Sequence, residues 1–199
     1  MNFFKNFMNE VNLTKQYISI LNKQIVYCNN ENSFEIFKFG INDSVKETYN
    51  ECNKFILYWE CESIKMKGFV NFVPYKNIEV EHYNLCQEIS DVEEDLIENQ
   101  TDVITDISHW YPVFLFPNGD RFCYDDRNGK IVFYEHDVFD CGVNLHGLVI
   151  ANSLNDLFDI WSKILFVDIN DWYLGVDKNG INLNKEVYKP IFQILKNEK

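Results

Sequence analysis

The side chains best equipped for chemistry gather at Glu135-His136-Asp137, with His146 ten residues after His136. Imidazoles and carboxylates at such spacing are what a metal-dependent hydrolase uses to hold an ion and activate water, so His136, Asp137 and His146 form one candidate centre. Neighbouring residues of a strand point to opposite faces, however, so Glu135 and His136 would not converge if a strand ran through them. The chain has no His-Glu-x-x-His pair, no Cys-x-x-Cys pair and no recognisable facial triad. Ordinary surface or hydrogen-bonded histidines are the simpler account.

Two stretches approach the EF-hand calcium loop. Asp126, Asn128, Gly129, Ile131 and Glu135 fall at its third, fifth, sixth, eighth and twelfth positions, and Asp177, Asn179, Gly180 and Glu186 repeat most of the pattern. Both lack the acid at the first position, where Tyr124 and Gly175 stand. Tight turns demand Asp, Asn and Gly for conformational reasons alone, so both stretches read as turns. The six cysteines (Cys28, Cys52, Cys61, Cys86, Cys123 and Cys141) are scattered and read as reduced thiols packed as small hydrophobes, even though Cys141 lies near His136 and His146 in sequence. Glycine-rich phosphate loops and Gly-x-Ser-x-Gly elbows are absent from the sequence. These constellations specify no enzyme, and no catalytic residue, metal ligand or cofactor is expected.

The elements that would position such residues follow from periodicity. Leu13, Tyr17, Ile20, Leu21 and Ile25 recur at helical spacing behind Asn12 as N-cap, the Asn29–Ser33 stretch is a polar loop, and Ser44 to Cys52 forms a second helix. Phe55 to Trp59 and Gly68 to Pro74 read as strands, the second stopped by its proline. Ser90 followed by Glu93 is a capping-box signature, so a short helix is expected to start there with a thin stripe of Val92, Leu96 and Ile97. Trp110 to Phe116, Arg121 to Asp125 and Lys130 to Glu135 form a three-stranded antiparallel meander. It is turned at Asn118-Gly119, where both residues tolerate positive φ, and at Asp126–Gly129, while Pro112 places its strand at an edge or start. Ser153 caps a helix whose stripe, Leu154, Leu157, Phe158, Trp161, Ile164 and Leu165, should pack on the meander, and Pro190 opens a last helix with Ile191, Phe192 and Leu195 inward. The expectation is an α+β fold: an antiparallel sheet, made of the central meander plus an N-terminal strand pair, with helices packed on one face.

The 199 residues suit one domain, 1–199, with 46% hydrophobic and 25% charged residues as in an ordinary globular protein. With 31 acidic and 18 basic residues the net charge is −13, which argues against direct contact with nucleic acid or an anionic membrane and permits attraction to a basic partner. Met1 to Glu10 is broken by polar residues and lacks a secretory signal's apolar core, so a cytoplasmic location is expected. Between Asn77 and Asp120 there is no Lys or Arg, while acids are dense. The segment is either a solvating surface or an electrostatic docking face. Asp91, Glu93, Glu94, Asp95 and Glu98 are its candidate binding residues, with Asp125, Asp126 and Asp137 on the meander rim as a second surface.

From Trp110 to Leu165 the chain resembles the SUKH superfamily, the Smi/Knr-like domain of bacterial immunity proteins and of a yeast cell-wall synthesis regulator. The features that carry the resemblance are Phe114-Leu-Phe116, Asn118-Gly119-Asp120, Phe122-Cys-Tyr-Asp125, Gly129-Lys-Ile-Val132, the Glu135-His-Asp137 strand end, and Ala151-Asn-Ser-Leu154 opening a helix through Leu157 and Trp161. More loosely, the match extends over about 54–167. The resemblance implies a SUKH-like, intracellular, non-enzymatic binding domain, in bacteria an immunity protein that occludes a cognate toxin of nuclease or deaminase type. Its partner would be the basic toxin domain. A regulatory scaffold module binding host proteins is the alternative.

Overall fold

The computed structural model describes residues 25–28, 41–98, 107–136, 145–169 and 171–197. Their elements are β1 (Ile25–Cys28), α1 (Asp43–Glu51), β2 (Lys54–Cys61), β3 (Met66–Phe72), α2 (Ile78–Glu98), β4 (Trp110–Leu115), β5 (Arg121–Asp125) and β6 (Ile131–Tyr134), followed by β7 (Val149–Ala151), α3 (Leu154–Ser162), β8 (Val167–Asp168), β9 (Val176–Asp177), β10 (Gly180–Ile181) and α4 (Lys189–Asn197). The first seven strands form one antiparallel sheet in chain order, and β8 adds to the start of β3. The fold is α+β, and the expected strand pair and meander join into a single sheet where Phe72 pairs with Phe114.

Alternation in β2 sends Phe55, Leu57, Trp59 and Cys61 inward, and in β3 it does the same for Gly68, Val70 and Phe72. Trp59 lies opposite Gly68 in register, and a Cβ on Gly68 would collide with its indole. The Trp59 indole N–H donates to the Leu165 carbonyl at 2.6 Å, and the Trp161 indole to the Val167 carbonyl at 2.8 Å. Those bonds hold a tight turn after α3 in which Leu165 and Phe166 both take positive φ, a conformation that branched and bulky residues adopt only when packing over-determines it. The helix therefore ends at Ser162, and the expected stripe residues Ile164 and Leu165 lie buried in the turn beyond it. Its N-terminus is as expected, with the Ser153 hydroxyl accepting from the Asp156 N–H at 3.0 Å. Phe158 and Trp161 pack edge-on to Phe114, and Trp161 also meets Phe116 and Phe122 of the meander.

Several expectations are corrected. Ile25 begins a strand, because it pairs with Leu57 across β1 and β2; the rest of the proposed first helix and the Asn29–Ser33 loop lie outside the described residues. Ser90 is not an N-cap but sits inside the 21-residue α2, which starts at Ile78 after a short 3-10 turn. Pro112 does fall close to a strand start, as expected: it is third in β4, ahead of the Phe114 position where β3 pairs, and the register with β5 shifts between the two. At Asn118-Gly119 only Gly119 has positive φ. Its N–H donates to the Phe116 carbonyl and the Phe116 N–H to the Asp120 carbonyl, so Pro117, Asn118 and Gly119 make a three-residue hairpin loop instead of a primed turn.

The helices do not all cover one face. Ile78 belongs to the main core shared with α1, α3 and α4, whereas Leu85 and Ile89 join Trp110, Cys123, Val132 and Tyr134 in a second core. Cys123 and Val132 alternate along their strands with Phe122, Tyr124, Ile131 and Phe133 of the main core, so α2 crosses from one face of the meander to the other.

Candidate functional site

What fixes α2 also decides which of its side chains are left for a partner. Ile78, Leu85 and Ile89 are buried at helical spacing, and polar residues between them conceal that pattern in the sequence. One flank of the helix is clamped electrostatically. The Arg121 guanidinium donates two bonds to Glu88, at 2.7 and 2.6 Å, and lies over the Tyr134 ring, whose hydroxyl donates to the same carboxylate at 3.2 Å. Burial pushes the Glu88 carboxyl up, but the Arg121 hydrogen bonds and charge outweigh it and hold the group below its ordinary value. His136 Nδ1 approaches the same carboxylate at 3.8 Å.

On the other flank, His82 stacks on Tyr111 with ring centres 4.3 Å apart, and its Nδ1 lies 2.8 Å from the Trp110 carbonyl. Burial raises the Tyr111 phenol above its usual value, and the nearby carboxylates of Asp126 and Glu79 push it further the same way. Acids of the helix start and of the meander rim thus meet around one aromatic ring. Asp126 Oδ1 also sits 2.7 Å from His109 Nδ1.

The outward stripe of α2 combines charge with apolar surface. Val80 is 58% and Tyr83 62% exposed, beside exposed Glu79 and Asp91. Helical spacing puts Glu94, Asp95 and Glu98 on the Asp91 stripe and Glu93 off it, all four within α2 but with side chains outside the described set. The sequence reading found the carboxylates and missed Glu79, Val80 and Tyr83; extending the Leu85/Ile89 spacing back to Ile78 would have revealed them.

The second predicted surface divides. Asp125 is buried and committed to its turn, accepting from the Arg127 backbone and side chain and from Asn128 at 2.8 to 3.2 Å. Burial alone would raise its carboxyl, but the Arg127 bonds win and leave it below its ordinary value. It is therefore not presented to a partner. Asp126 remains at the rim, and Asp137 lies outside the described residues.

The histidine constellation does not assemble among the described residues. His136 stands by Glu88, while buried His146 packs against Trp110 and Tyr134 and accepts the Glu135 N–H at 3.3 Å. The Glu135 carboxylate accepts from the Leu145 N–H at 2.8 Å, so one of its oxygens is engaged with that backbone amide. Asp177 likewise accepts from Asn179 and Asn182 within its own turn. No group of three or more His, Cys, Asp or Glu side chains among the described residues is arranged to hold a metal. Cys61, Cys86 and Cys123 are free thiols, and no helix among the described residues is long and apolar enough to cross a membrane. Compared with models of known protein families, with characterised proteins and with solved structures, the chain finds no match.

Proposed function

We propose that this chain is a non-enzymatic protein-binding domain that acts by covering a basic partner, and that the partner is the toxin domain of a polymorphic toxin, which makes the chain a cytoplasmic immunity protein of the SUKH type. The observation that carries this reading is the outward stripe of α2, where Val80 and Tyr83 stand exposed among carboxylates, in a stretch free of Lys and Arg from Asn77 to Asp120. Exposed tyrosines are the residue type on which binding energy concentrates, while the surrounding charge accelerates encounter and selects a basic surface. A nuclease or a nucleic-acid deaminase must expose such a surface to hold phosphate. The Glu88–Arg121 pair anchors the helix to the meander, and an anchored helix pays less ordering entropy on docking. The resemblance of 110–165 to the SUKH superfamily points the same way.

The test is co-expression with the toxin-like domain encoded by the neighbouring reading frame. The natural chain should restore growth, and a folded variant carrying Glu79→Lys, Asp91→Lys, Glu94→Lys and Tyr83→Ala should not. Full protection by that variant, or toxicity undiminished by the natural chain, rejects the reading.

A further inference from the structure

The turn end of the β2–β3 hairpin borders a cleft of about 630 Å³, within the range of ligand-binding pockets. Four carboxylates from two segments line it, Glu60 and Glu62 from the hairpin and Asp168 and Asp171 from the stretch at β8, against the ammonium groups of Lys65 and Lys67. Met66, Ile169 and Val187 supply apolar wall. Asp168 is the unusual member. Its side chain is only 6% exposed, yet its one ion pair, to Lys67, is 3.3 Å long, beyond the roughly 2.7–2.9 Å of a strong charge-assisted bond. That pair uses Oδ2, while Oδ1, with no hydrogen-bond donor among the described residues, keeps some contact with solvent. Burial raises the Asp168 carboxyl above its ordinary value, and Lys67 offsets this only in part. A nearly buried carboxylate with unused acceptor capacity, at the wall of an accessible cleft, fits a ligand that brings its own cation.

We infer that this cleft receives a single basic side chain, arginine or lysine, presented by a protein partner, with the cation on Asp168 and the alkyl stem along Met66, Ile169 and Val187. The inference builds on the reading of the chain as a binder of basic protein and adds a second contact on a different part of the molecule from α2. It is tested without any partner. The full chain, isotopically labelled, is titrated with N-acetyl-arginine methylamide, N-acetyl-lysine methylamide and the uncharged N-acetyl-norleucine methylamide while backbone amide shifts are followed.

The expected result is saturable shifts centred on Lys67, Asp168 and Ile169 with the charged probes, weaker ones with the neutral probe, and an affinity reduced about tenfold or more in Asp168→Asn. The exposed Asp159→Asn serves as a control that leaves binding unchanged. Should Asp168→Asn fold poorly, the Glu60→Gln/Glu62→Gln double variant is expected to weaken the same shifts. Absent saturation, equal response to the neutral probe, or shifts that ignore the cleft substitutions overturns the inference while leaving the docking role of α2 untouched. Loss of growth protection on α2 charge reversal, with probe binding intact, bears on α2 alone.

Discussion

Arg121 is the residue on which the attachment of α2 depends. Its removal leaves the Glu88 carboxylate, partly screened from water, with only the Tyr134 hydroxyl and a distant His136. Arg121→Ala should destabilise the protein by about 1–3 kcal/mol in urea denaturation, and Glu88→Gln added to it should cost less than it does alone, the signature of a coupled pair. The pH dependence follows from the same groups. Glu88 and Asp125 both have folded-state values below their unfolded ones, so their contribution is complete above the ordinary carboxylate range, about pH 4, and disappears as pH falls through the lower folded values. Arg121→Ala and Arg127→Ala should each flatten the loss of stability measured in that acid window. An unchanged acid slope in both variants would count against these clamps.

At the scale of elements, α2 spans about 30 Å and is anchored at its start in one core and further along in another. Leu85→Ala should cost about 2–5 kcal/mol, and hydrogen exchange should show α2 amides losing protection ahead of those in β4 to β6. The close approach of β2 and β3 depends on one absent side chain. Gly68→Ala should displace the Trp59 indole from its bond to Leu165, destabilising by about 1–3 kcal/mol or more. Its readout is a red-shifted tryptophan emission. An unshifted spectrum with native stability would show that the indole can be accommodated elsewhere.

The molecule as a whole carries −13, and the described part of α2 exposes Glu79 and Asp91 beside apolar surface. Association with a basic partner should therefore be fast at low salt and slow as salt screens it. Reversing Glu79, Asp91 and Glu94 should lower the association rate constant by about tenfold or more and flatten its salt dependence, whereas Tyr83→Ala should act mainly on dissociation. Equal effects of both variants on the association rate would argue against this division of labour between charge and ring.

The linear order of residues was enough for whatever depends on near neighbours. The meander, the Ser153 cap, the turn glycines at 119 and 129 and the last helix at Pro190 all rest on contacts within a few positions. So does the acidity of the segment after Asn77. What depends on distant partners had to come from the folded chain. The start of α2 at Ile78 and its crossing to a second core follow from side chains on β4, β5 and β6, and those override the local capping signal at Ser90. A distant hydrogen bond, from the Trp59 indole to the Leu165 carbonyl, likewise fixes the turn that ends α3 early. Asp125 and Asp126 are chemically alike and adjacent, yet one is spent inside its own turn and the other is tied to His109, because burial and the reach of Arg127 are properties of three-dimensional packing.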